Sequence, residues 1–377
     1  MVIPYSRQLI NQSDISAVSK VLKSDFLTTG PQVNIFEKKL ENFFDSKYAS
    51  VVNSATSALH LACLALDLKK KDIVWTTPIS FVASSNCAIY CGAKVDFVDI
   101  NEETFNLCEK KLEQKLKNTP QKKLPAIVIV VHLSGHPANL KKIKNLSKKY
   151  HFKIIEDASH AVGSVYQKNL IGNCKYSDAC IFSFHPIKII TTGEGGALLT
   201  NSKKIFKKFS LLRSHGIDKS VKSNNNPWHY DQISLGYNYR MNEIEAALGT
   251  SQLKKLNKFL KERKKISEIY KSNLNLNNVK IQQLIKDCKS SFHLFVIRVE
   301  ETKRMQIYKE LKKNNIYTNF HYIPIYRHSF YKKYNIKYDN FKNAEKYYKE
   351  AISIPIYCGL KIKTQMKIIK IINKNTN

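Results

Sequence analysis

The chain has 377 residues, of which 43% are hydrophobic and 11% aromatic, so it is long enough to bury a large core and too apolar to be disordered. No apolar run reaches the roughly 18–20 residues that a membrane-spanning helix needs. Residues 1–16 also lack the basic-then-apolar order of a signal peptide, so the sequence predicts a cytoplasmic protein without a membrane partner.

Lysine and arginine outnumber aspartate and glutamate by 62 to 30, which gives a formal net charge of +32. An excess of this size is found in proteins that bind polyanions, and it also steers anionic small molecules toward a protein. However, the lysines are dispersed through amphipathic stretches such as KKLEQKLKN and KKIKNLSKKY, where they fill the polar positions. A solvated basic surface is therefore favoured over a nucleic-acid-binding face, and both readings stay open.

Helix and strand patterns alternate along the chain, which is typical of an α/β fold with a mainly parallel sheet. The predicted elements, in chain order, are helices at 31–44 and 54–66, a strand at 72–78, a helix at 79–90, strands at 94–100 and 126–131, a helix at 139–150, and strands at 152–160, 179–184 and 196–200. A long lysine-rich helix near 250–275 then precedes a strand at 291–299, a helix at 301–314, a short strand at 316–322 and helices near 341–351 and 363–373. This order predicts a large domain over residues 1–250, and a connector helix with a smaller α/β domain over 251–377.

The eight cysteines show no paired CxxC spacing, so the sequence predicts no zinc site or other metal. Cys87 and Cys91 lie four residues apart in a segment predicted to be helical. Packing in the core is favoured for this pair, with metal or redox chemistry as the alternative.

One lysine interrupts an apolar stretch. Lys188 lies in SFHPIKIITTGEGG, between strands at 179–184 and 196–200, with phenylalanine and isoleucine around it. A lysine among apolar groups loses charge more readily, which makes its amine a better nucleophile for Schiff-base formation with a carbonyl such as that of pyridoxal phosphate. The alternative is a lysine that extends to solvent from the end of a strand.

Asp157 and His160, in KIIEDASH, follow a strand at the edge where α/β sheets bind their ligands. Pyridoxal chemistry needs an acid beside the ring nitrogen, because a protonated pyridinium is the electron sink. His160 fits over a ring face. The alternative for both residues is capping of the next helix or turn.

The segment NSATSALH begins a predicted helix with small residues, whose free N–H groups favour a phosphate. Ala55 and Thr56 supply such groups, and Ser183 is a further donor five residues before Lys188. Gly193, Gly195 and Gly196 then allow a sharp turn under a flat ligand.

These motifs, with TTPISFVASSN, LRSHGI and GYNYRMNEIEAALG, resemble those of the DegT/DnrJ/EryC1/StrS sugar aminotransferase family over essentially the whole chain. Within the family, AIYCGAKVDFVDI, IGNCKYSDA and HYIPIY are similar to the members of pseudaminic acid biosynthesis. The resemblance implies a fold-type-I transferase, dependent on pyridoxal 5′-phosphate, that forms a homodimer with shared active sites. It implies transfer of an amino group from L-glutamate to C4 of a UDP-4-keto-6-deoxy-N-acetylhexosamine.

The resemblance also implies a role for individual residues. For the cofactor, it implies that Lys188 attaches it covalently and that Asp157 binds the ring nitrogen. It implies that His160 and Phe81 pack on the two ring faces, that Ala55, Thr56 and Ser183 bind the phosphate, and that Asn238 reaches in from the partner subunit. For the substrates, it implies Arg240 on the carboxylate of the amino donor, and Tyr5, Thr28, His215, Phe320, His321 and Tyr322 on the sugar. An interface role for Arg240, and core roles for Tyr5 and Tyr322, are the alternatives.

Two rival functions remain at this point. One is an aminotransferase of the same family that acts on a UDP-4-keto-pentose or a GDP-4-keto-6-deoxymannose, since all share the cofactor motifs. The other is a basic polyanion-binding protein, although no nucleic-acid-binding module is present in the sequence. A dinucleotide-dependent dehydrogenase is disfavoured because GxGxxG is missing after the first strand.

Overall fold

A computed structural model describes residues 2–218 and 228–376. The α-helices are α1 (Gln12–Leu22), α2 (Pro31–Phe44), α3 (Ala55–Ala65), α4 (Ala83–Tyr90), α5 (Glu109–Asn118), α6 (Leu140–Tyr150), α7 (Lys203–Leu212), α8 (Glu243–Leu253), α9 (Leu256–Asn273), α10 (Glu301–Lys313), α11 (Lys342–Glu350) and α12 (Ile362–Thr376). The strands are β1 (Tyr48–Val52), β2 (Ile73–Thr76), β3 (Lys94–Phe97), β4 (Ile127–Val131), β5 (Lys153–Asp157), β6 (Val165–Tyr166), β7 (Asn169–Leu170), β8 (Ala179–Ser183), β9 (Gly196–Thr200), β10 (Ile217–Asp218), β11 (Asp231–Gln232), β12 (Lys280–Ile281), β13 (Cys288–Lys289), β14 (Phe295–Arg298) and β15 (Ala351–Ile354).

A seven-stranded sheet forms the centre of the molecule, in the order β1-β9-β8-β5-β4-β2-β3. The five strands from β8 to β3 are parallel, whereas β9 is antiparallel to both of its neighbours. The carboxyl ends of the parallel strands, the end of β1 and the start of β9 therefore lie at one edge. The predicted α/β fold with a mainly parallel sheet is confirmed.

Both faces of this sheet are covered by helices. Because consecutive strand residues point to opposite faces, Ile154 packs in one apolar cluster with α2, α5 and α6, and Ile155 packs in another with α3, α4 and α7. Leu198 and Leu199 divide between the same two clusters. The apolar runs of these strands follow from burial on both sides.

The C-terminal part contains a smaller antiparallel sheet, β12-β14-β15, packed against α9, α10 and α12. The first residues of the chain are bonded to the segment that follows α10, since the Ile3 N–H donates to the Asn315 carbonyl and the Ile3 carbonyl accepts from the Tyr317 N–H. The chain start is thereby held beside residues that line the cavity described below.

One predicted element differs from the structure. Residues 316–322 do not form a strand: Ile316 and Asn319 make single bridges, to Ile3 and Ser353, and residues 319–323 line a cavity. The long lysine-rich helix predicted near 250–275 is confirmed as α9, which begins after a break between Leu253 and Leu256. α8 packs against α1 and α2, and α9 turns toward the C-terminal core.

The cysteine pair lies in α4 and at its end. Cys87 is fully buried and Cys91 is half-buried, and both pack in the apolar cluster on the α3–α4 side of the sheet. All eight cysteines are free thiols. Among the described residues, no helix is both long and apolar enough to cross a bilayer.

Candidate active site

The candidate site lies where several strand ends meet. β5 ends at Asp157 and the parallel β8 ends at Ser183, which pairs with Gly196 at the start of β9. Gly196 also faces Val52 at the end of β1, directly before α3. The strand order therefore brings three distant sequence motifs, NSATSALH, KIIEDASH and SFHPIKIITTGEGG, to one edge of the sheet, where α/β proteins bind ligands.

A cavity of about 650 Å³ opens at this edge, a size suited to a small-molecule site. Most of the predicted site residues line it: Tyr5, Ala55, Thr56, Phe81, Asp157, His160, Ser183, Lys188, Phe320, His321 and Tyr322. Four predicted residues do not line it: Thr28, His215, Asn238 and Arg240.

Lys188 reaches into the cavity from the loop between β8 and β9. Its backbone N–H donates to the His185 carbonyl at 2.9 Å, and the loop is closed by a bond from the Thr192 N–H to the Phe184 carbonyl at 3.0 Å. Burial lowers the pKa of Lys188 to about 8, while the nearby Asp157 carboxylate opposes that shift. A substantial fraction of this amine is therefore neutral, and thus nucleophilic, near physiological pH.

Asp157 is buried and accepts hydrogen bonds at both carboxylate oxygens. Ser84 Oγ donates to Oδ2 at 2.6 Å, and Ser159 Oγ donates to Oδ1 at 2.6 Å, with the Ser159 N–H at 3.2 Å from the same oxygen. Asp157 is thus held as a hydrogen-bond acceptor that faces the cavity. A protonated ring nitrogen needs such an acceptor as its partner.

His160 is buried beside Asp157, and burial, followed by the Lys188 and His321 charges, lowers its pKa well below the usual range. Its Nδ1 accepts from the Ser134 N–H at 3.3 Å, so the neutral ring carries its proton on Nε2. Nε2 lies 3.0 Å from the Tyr322 hydroxyl. The hydroxyl accepts from Nε2, which fixes the orientation of both rings.

Phe81 also lines the cavity and is 59% exposed. Its ring centroid lies 6.3 Å from that of Tyr322. His160, after β5, and Phe81, before α4, thus lie on different loops of the same cavity.

The start of α3 fits a phosphate group. Ser54 caps the helix by accepting from the Ser57 N–H at 3.1 Å, and the earlier N–H groups of Ala55 and Thr56 have no partner within a helix. Gly196 is required here, because a Cβ at this position would lie 2.5 Å from Ala55 N. The amine, the acid, the ring faces and this helix start fit pyridoxal phosphate, the cofactor that the sequence predicted.

Four predicted residues lie outside the cavity, on segments that are joined by hydrogen bonds. Thr28, His215 and Asn238 are exposed, and Arg240 is partly buried with an Nε that has no hydrogen-bond partner among the described residues. The segments are linked, since the Glu243 N–H donates to the Leu27 carbonyl and the His215 N–H donates to the Tyr237 carbonyl.

Sequence reasoning missed three serines at the site. Ser80, Ser84 and Ser159 form the hydrogen bonds around Asp157, and Ser80 and Ser84 lie within the quoted motif TTPISFVASSN. Serines are common at helix starts, so the sequence alone gave no signal that these hydroxyls face a carboxylate 73 residues away.

Comparisons with known proteins agree with this geometry. The family model described as the DegT/DnrJ/EryC1/StrS aminotransferase family matches residues 8–373. A relative from Campylobacter jejuni subsp. jejuni serotype O:23/36, named UDP-4-amino-4,6-dideoxy-N-acetyl-beta-L-altrosamine transaminase, is 43% identical over 367 residues, which cover 96% of this chain and 94% of the relative.

Two solved structures have the same fold. An aminotransferase of Helicobacter pylori involved in the biosynthesis of pseudoaminic acid matches with a TM-score of 0.91 at 33% identity, covering 100% of this chain and 99% of that one. A sugar aminotransferase of Streptococcus pneumoniae in its PLP form matches with a TM-score of 0.90 at 27% identity, with the same coverage.

Proposed function

This chain belongs to the DegT/DnrJ/EryC1/StrS family and is a pyridoxal-phosphate-dependent aminotransferase of nucleotide sugars, and we propose that it aminates C4 of a UDP-linked 4-keto-6-deoxy-N-acetylhexosamine, with L-glutamate as donor. The proposed substrate is UDP-2-acetamido-2,6-dideoxy-β-L-arabino-hex-4-ulose, and the proposed pathway is pseudaminic acid biosynthesis. The observation that carries this choice is the 43% identity, over nearly the full length, to a relative named for the aminated product.

The proposed mechanism assigns the proton transfers to Lys188. Pyridoxal phosphate supplies, when bound, an aldehyde that links to amines and a pyridinium ring that accepts electrons. Lys188 Nζ removes the proton from Cα of glutamate and, in the second half of the reaction, delivers a proton to C4 of the sugar. One well-placed base of this kind contributes about 10²–10⁴-fold to a rate, and the pKa of about 8 suits it to the task.

The remaining cavity residues bind and orient. Asp157 holds the proton of the ring nitrogen, and His160 and Phe81 confine the ring from its two faces. The start of α3, with Ser183, binds the phosphate. Tyr5, Phe320, His321 and Tyr322 lie in the same cavity and are proposed to contact the sugar.

We further propose that two copies of the chain share their active sites. The exposed face, defined here as residues 26–28, 215 and 228–240, carries Thr28, His215, Asn238 and Arg240 together with unusually exposed apolar side chains, Phe26, Leu27, Trp228, Tyr230, Ile233 and Leu235. Leu235 is 80% exposed, and an apolar surface of this kind marks an interface. Asn238 is then proposed to reach the partner's cofactor and Arg240 to bind the donor carboxylate through its guanidinium, whose Nε has no hydrogen-bond partner among the described residues.

Two further proposals concern organisation and location. Residues 1–250 form the proposed large domain and residues 251–377 the smaller one. The eight free thiols support a reducing compartment such as the cytoplasm.

A substrate panel tests the proposed sugar. Purified holoenzyme is given L-glutamate and, in turn, UDP-, GDP- and dTDP-linked 4-keto-6-deoxy sugars and a UDP-4-keto-pentose, with 2-oxoglutarate as the measured product. The expected result is the highest kcat/KM with the UDP-linked N-acetylhexosamine. A higher kcat/KM with the GDP sugar or the pentose would replace the proposed substrate and leave the family assignment intact.

A further inference from the structure

Ser84 is a buried residue beside the cavity to which the proposed mechanism assigns no role. Its side chain is fully buried, and it does not line the cavity. Its hydroxyl nevertheless lies 2.6 Å from Asp157 Oδ2, a short distance of the kind that charged acceptors give. Ser84 therefore acts on the carboxylate from behind and touches no ligand.

The direction of the hydrogen bonds follows from counting protons. A serine hydroxyl has one proton, and Ser84 gives it to Asp157, because an ionised carboxylate only accepts. The Ser80 hydroxyl, 2.7 Å from Ser84 Oγ, must then donate to Ser84. The result is a directed chain, Ser80 to Ser84 to Asp157, within the buried start of α4.

The same turn of chain also positions the ring. The Ser84 N–H donates to the Phe81 carbonyl at 3.2 Å, so Phe81, which faces the cavity, and Ser84, which faces Asp157, are held in one hydrogen-bonded turn. Residues 81–84 thus position both the Asp157 carboxylate and the Phe81 side chain, which is proposed to pack on the ring.

Donors on a carboxylate fix the direction in which its free acceptor site points. The Asp157 oxygens have about four acceptor sites, of which Ser84 Oγ, Ser159 Oγ and the Ser159 N–H occupy three. The remaining site is therefore held in place for a ring N–H donor in the cavity. Ionisable groups on whose pKa the Asp157 charge acts include Lys188, Cys180 and Tyr322.

We propose that Ser84, supported by Ser80, is a positioning residue that keeps the proton on the ring nitrogen of pyridoxal phosphate by holding Asp157 as a fixed acceptor. This inference rests on the proposed placement of Asp157 beside that nitrogen. It predicts that the electron sink depends on a residue that never contacts the cofactor.

The chain supplies a matched control. Ser85 is the next residue and is equally buried, but its hydroxyl contacts the Val82 carbonyl and the Tyr331 hydroxyl instead of Asp157. Ser84→Ala and Ser85→Ala therefore remove the same atom from the same helix, and only Ser84→Ala removes a donor from the acid. Ser159→Ala, at a half-buried position, removes a donor from the other oxygen and serves if Ser84→Ala fails to fold.

The experiment loads each variant with pyridoxal phosphate labelled with ¹⁵N in the ring and records the ring-nitrogen resonance, the cofactor dissociation constant and kcat/KM. For Ser84→Ala and Ser159→Ala, we expect the resonance to move toward that of neutral pyridine and kcat/KM to fall about 10-fold to 100-fold, the scale of a hydrogen bond to a charged group. Ser85→Ala should keep the wild-type resonance.

Asp157→Asn calibrates the measurement and separates the two proposals. If Asp157→Asn shifts the resonance strongly while folded Ser84→Ala leaves it at the wild-type position, the role of Ser84 is wrong and the proposed function stands. Where Ser84→Ala does not fold, an unmoved resonance in Ser159→Ala overturns the inference in the same way. If Asp157→Asn itself changes neither the resonance nor turnover, the placement of Asp157 fails, and the inference fails with it.

Discussion

The predicted site residues are divided between the cavity and the exposed face, and the two groups differ in whether their side chains have partners in the same chain. In the cavity, the side chains of Asp157 and His160 accept hydrogen bonds from their own chain, and burial lowers the pKa values of Lys188 and His160. On the exposed face, Asn238 points to solvent and Arg240 has an unpartnered Nε, next to apolar side chains such as Leu235. This difference is the basis of the proposal that one chain supplies the chemistry and that a second copy completes the binding of the ligands.

The largest expected effect is at the centre of the cavity. Lys188→Ala removes the only proposed proton carrier, so we expect kcat/KM to fall about 10⁴-fold, the upper end for a positioned base. Borohydride reduction of the wild-type holoenzyme, followed by mass spectrometry, should place a pyridoxyl adduct on Lys188. An adduct on another lysine, or wild-type turnover by the variant, would remove Lys188 from its role.

The pKa of Lys188 gives the second prediction. Its folded-state pKa lies below that of an exposed lysine, so the amine of the cofactor-free protein is protonated below pH 8 and neutral above it. Cofactor capture, followed by absorbance, should therefore slow about tenfold for each pH unit below 8 and level off above it. Because the Asp157 charge raises this pKa, Asp157→Asn should move the midpoint down; a midpoint near that of a free lysine in both proteins would contradict the burial argument.

Subunit complementation tests whether the exposed face belongs to the partner's site. Lys188→Ala and Asn238→Ala are each expected to be impaired, but an equal mixture, unfolded and refolded together, forms heterodimers in which one site lacks both substitutions. The mixture should regain about a quarter of the wild-type rate, as random pairing in a symmetric dimer requires. No gain over the separate proteins would place Asn238 in the same site as its own Lys188.

A charge on the exposed face should weaken the dimer itself. Leu235→Glu places a carboxylate on a residue that is 80% exposed in one chain, and losing its burial costs about 1.5–3 kcal/mol for each copy. A symmetric dimer carries the change twice, so we expect the dimer dissociation constant to rise about 10²-fold to 10⁴-fold. Sedimentation equilibrium measures this constant. Ile362→Glu, at a position 65% exposed in α12, is the control that should leave it unchanged.

The smallest expected effect is at the edge of the cavity. Tyr322→Phe removes the hydroxyl that accepts from His160 Nε2 but keeps the ring, so we expect kcat/KM to fall about 2-fold to 10-fold, the range of a neutral hydrogen bond. The circular dichroism of the bound cofactor should change as His160 loses its fixed orientation. A fall as large as that of Lys188→Ala would show that the hydroxyl takes part in proton transfer.

The predictions from sequence were best where a pattern is local. The alternation of helices and strands, the start of α2 at Pro31 and the strands on either side of Lys188 were all confirmed. The strand at 316–322 was wrong because its apolar and aromatic residues are used to line a cavity, which no periodicity reveals. The helix predicted near 250–275 was confirmed as α9, with its first residue at Leu256 because α8 and α9 contact different cores.

The sequence by itself determined the chemical groups, since an isolated lysine in an apolar stretch, an acid after a strand and a small-residue helix start each follow from residue type and local order. Only the tertiary structure decided which of them meet, because the strand order β1-β9-β8-β5 brings Ser54, Gly196, Ser183 and Asp157 to one edge although they are far apart in the chain. It also decided that Ser84 donates to Asp157 and that Asn238 faces solvent, because long-range contacts and exposure depend on packing and leave no periodic signal in the residues themselves.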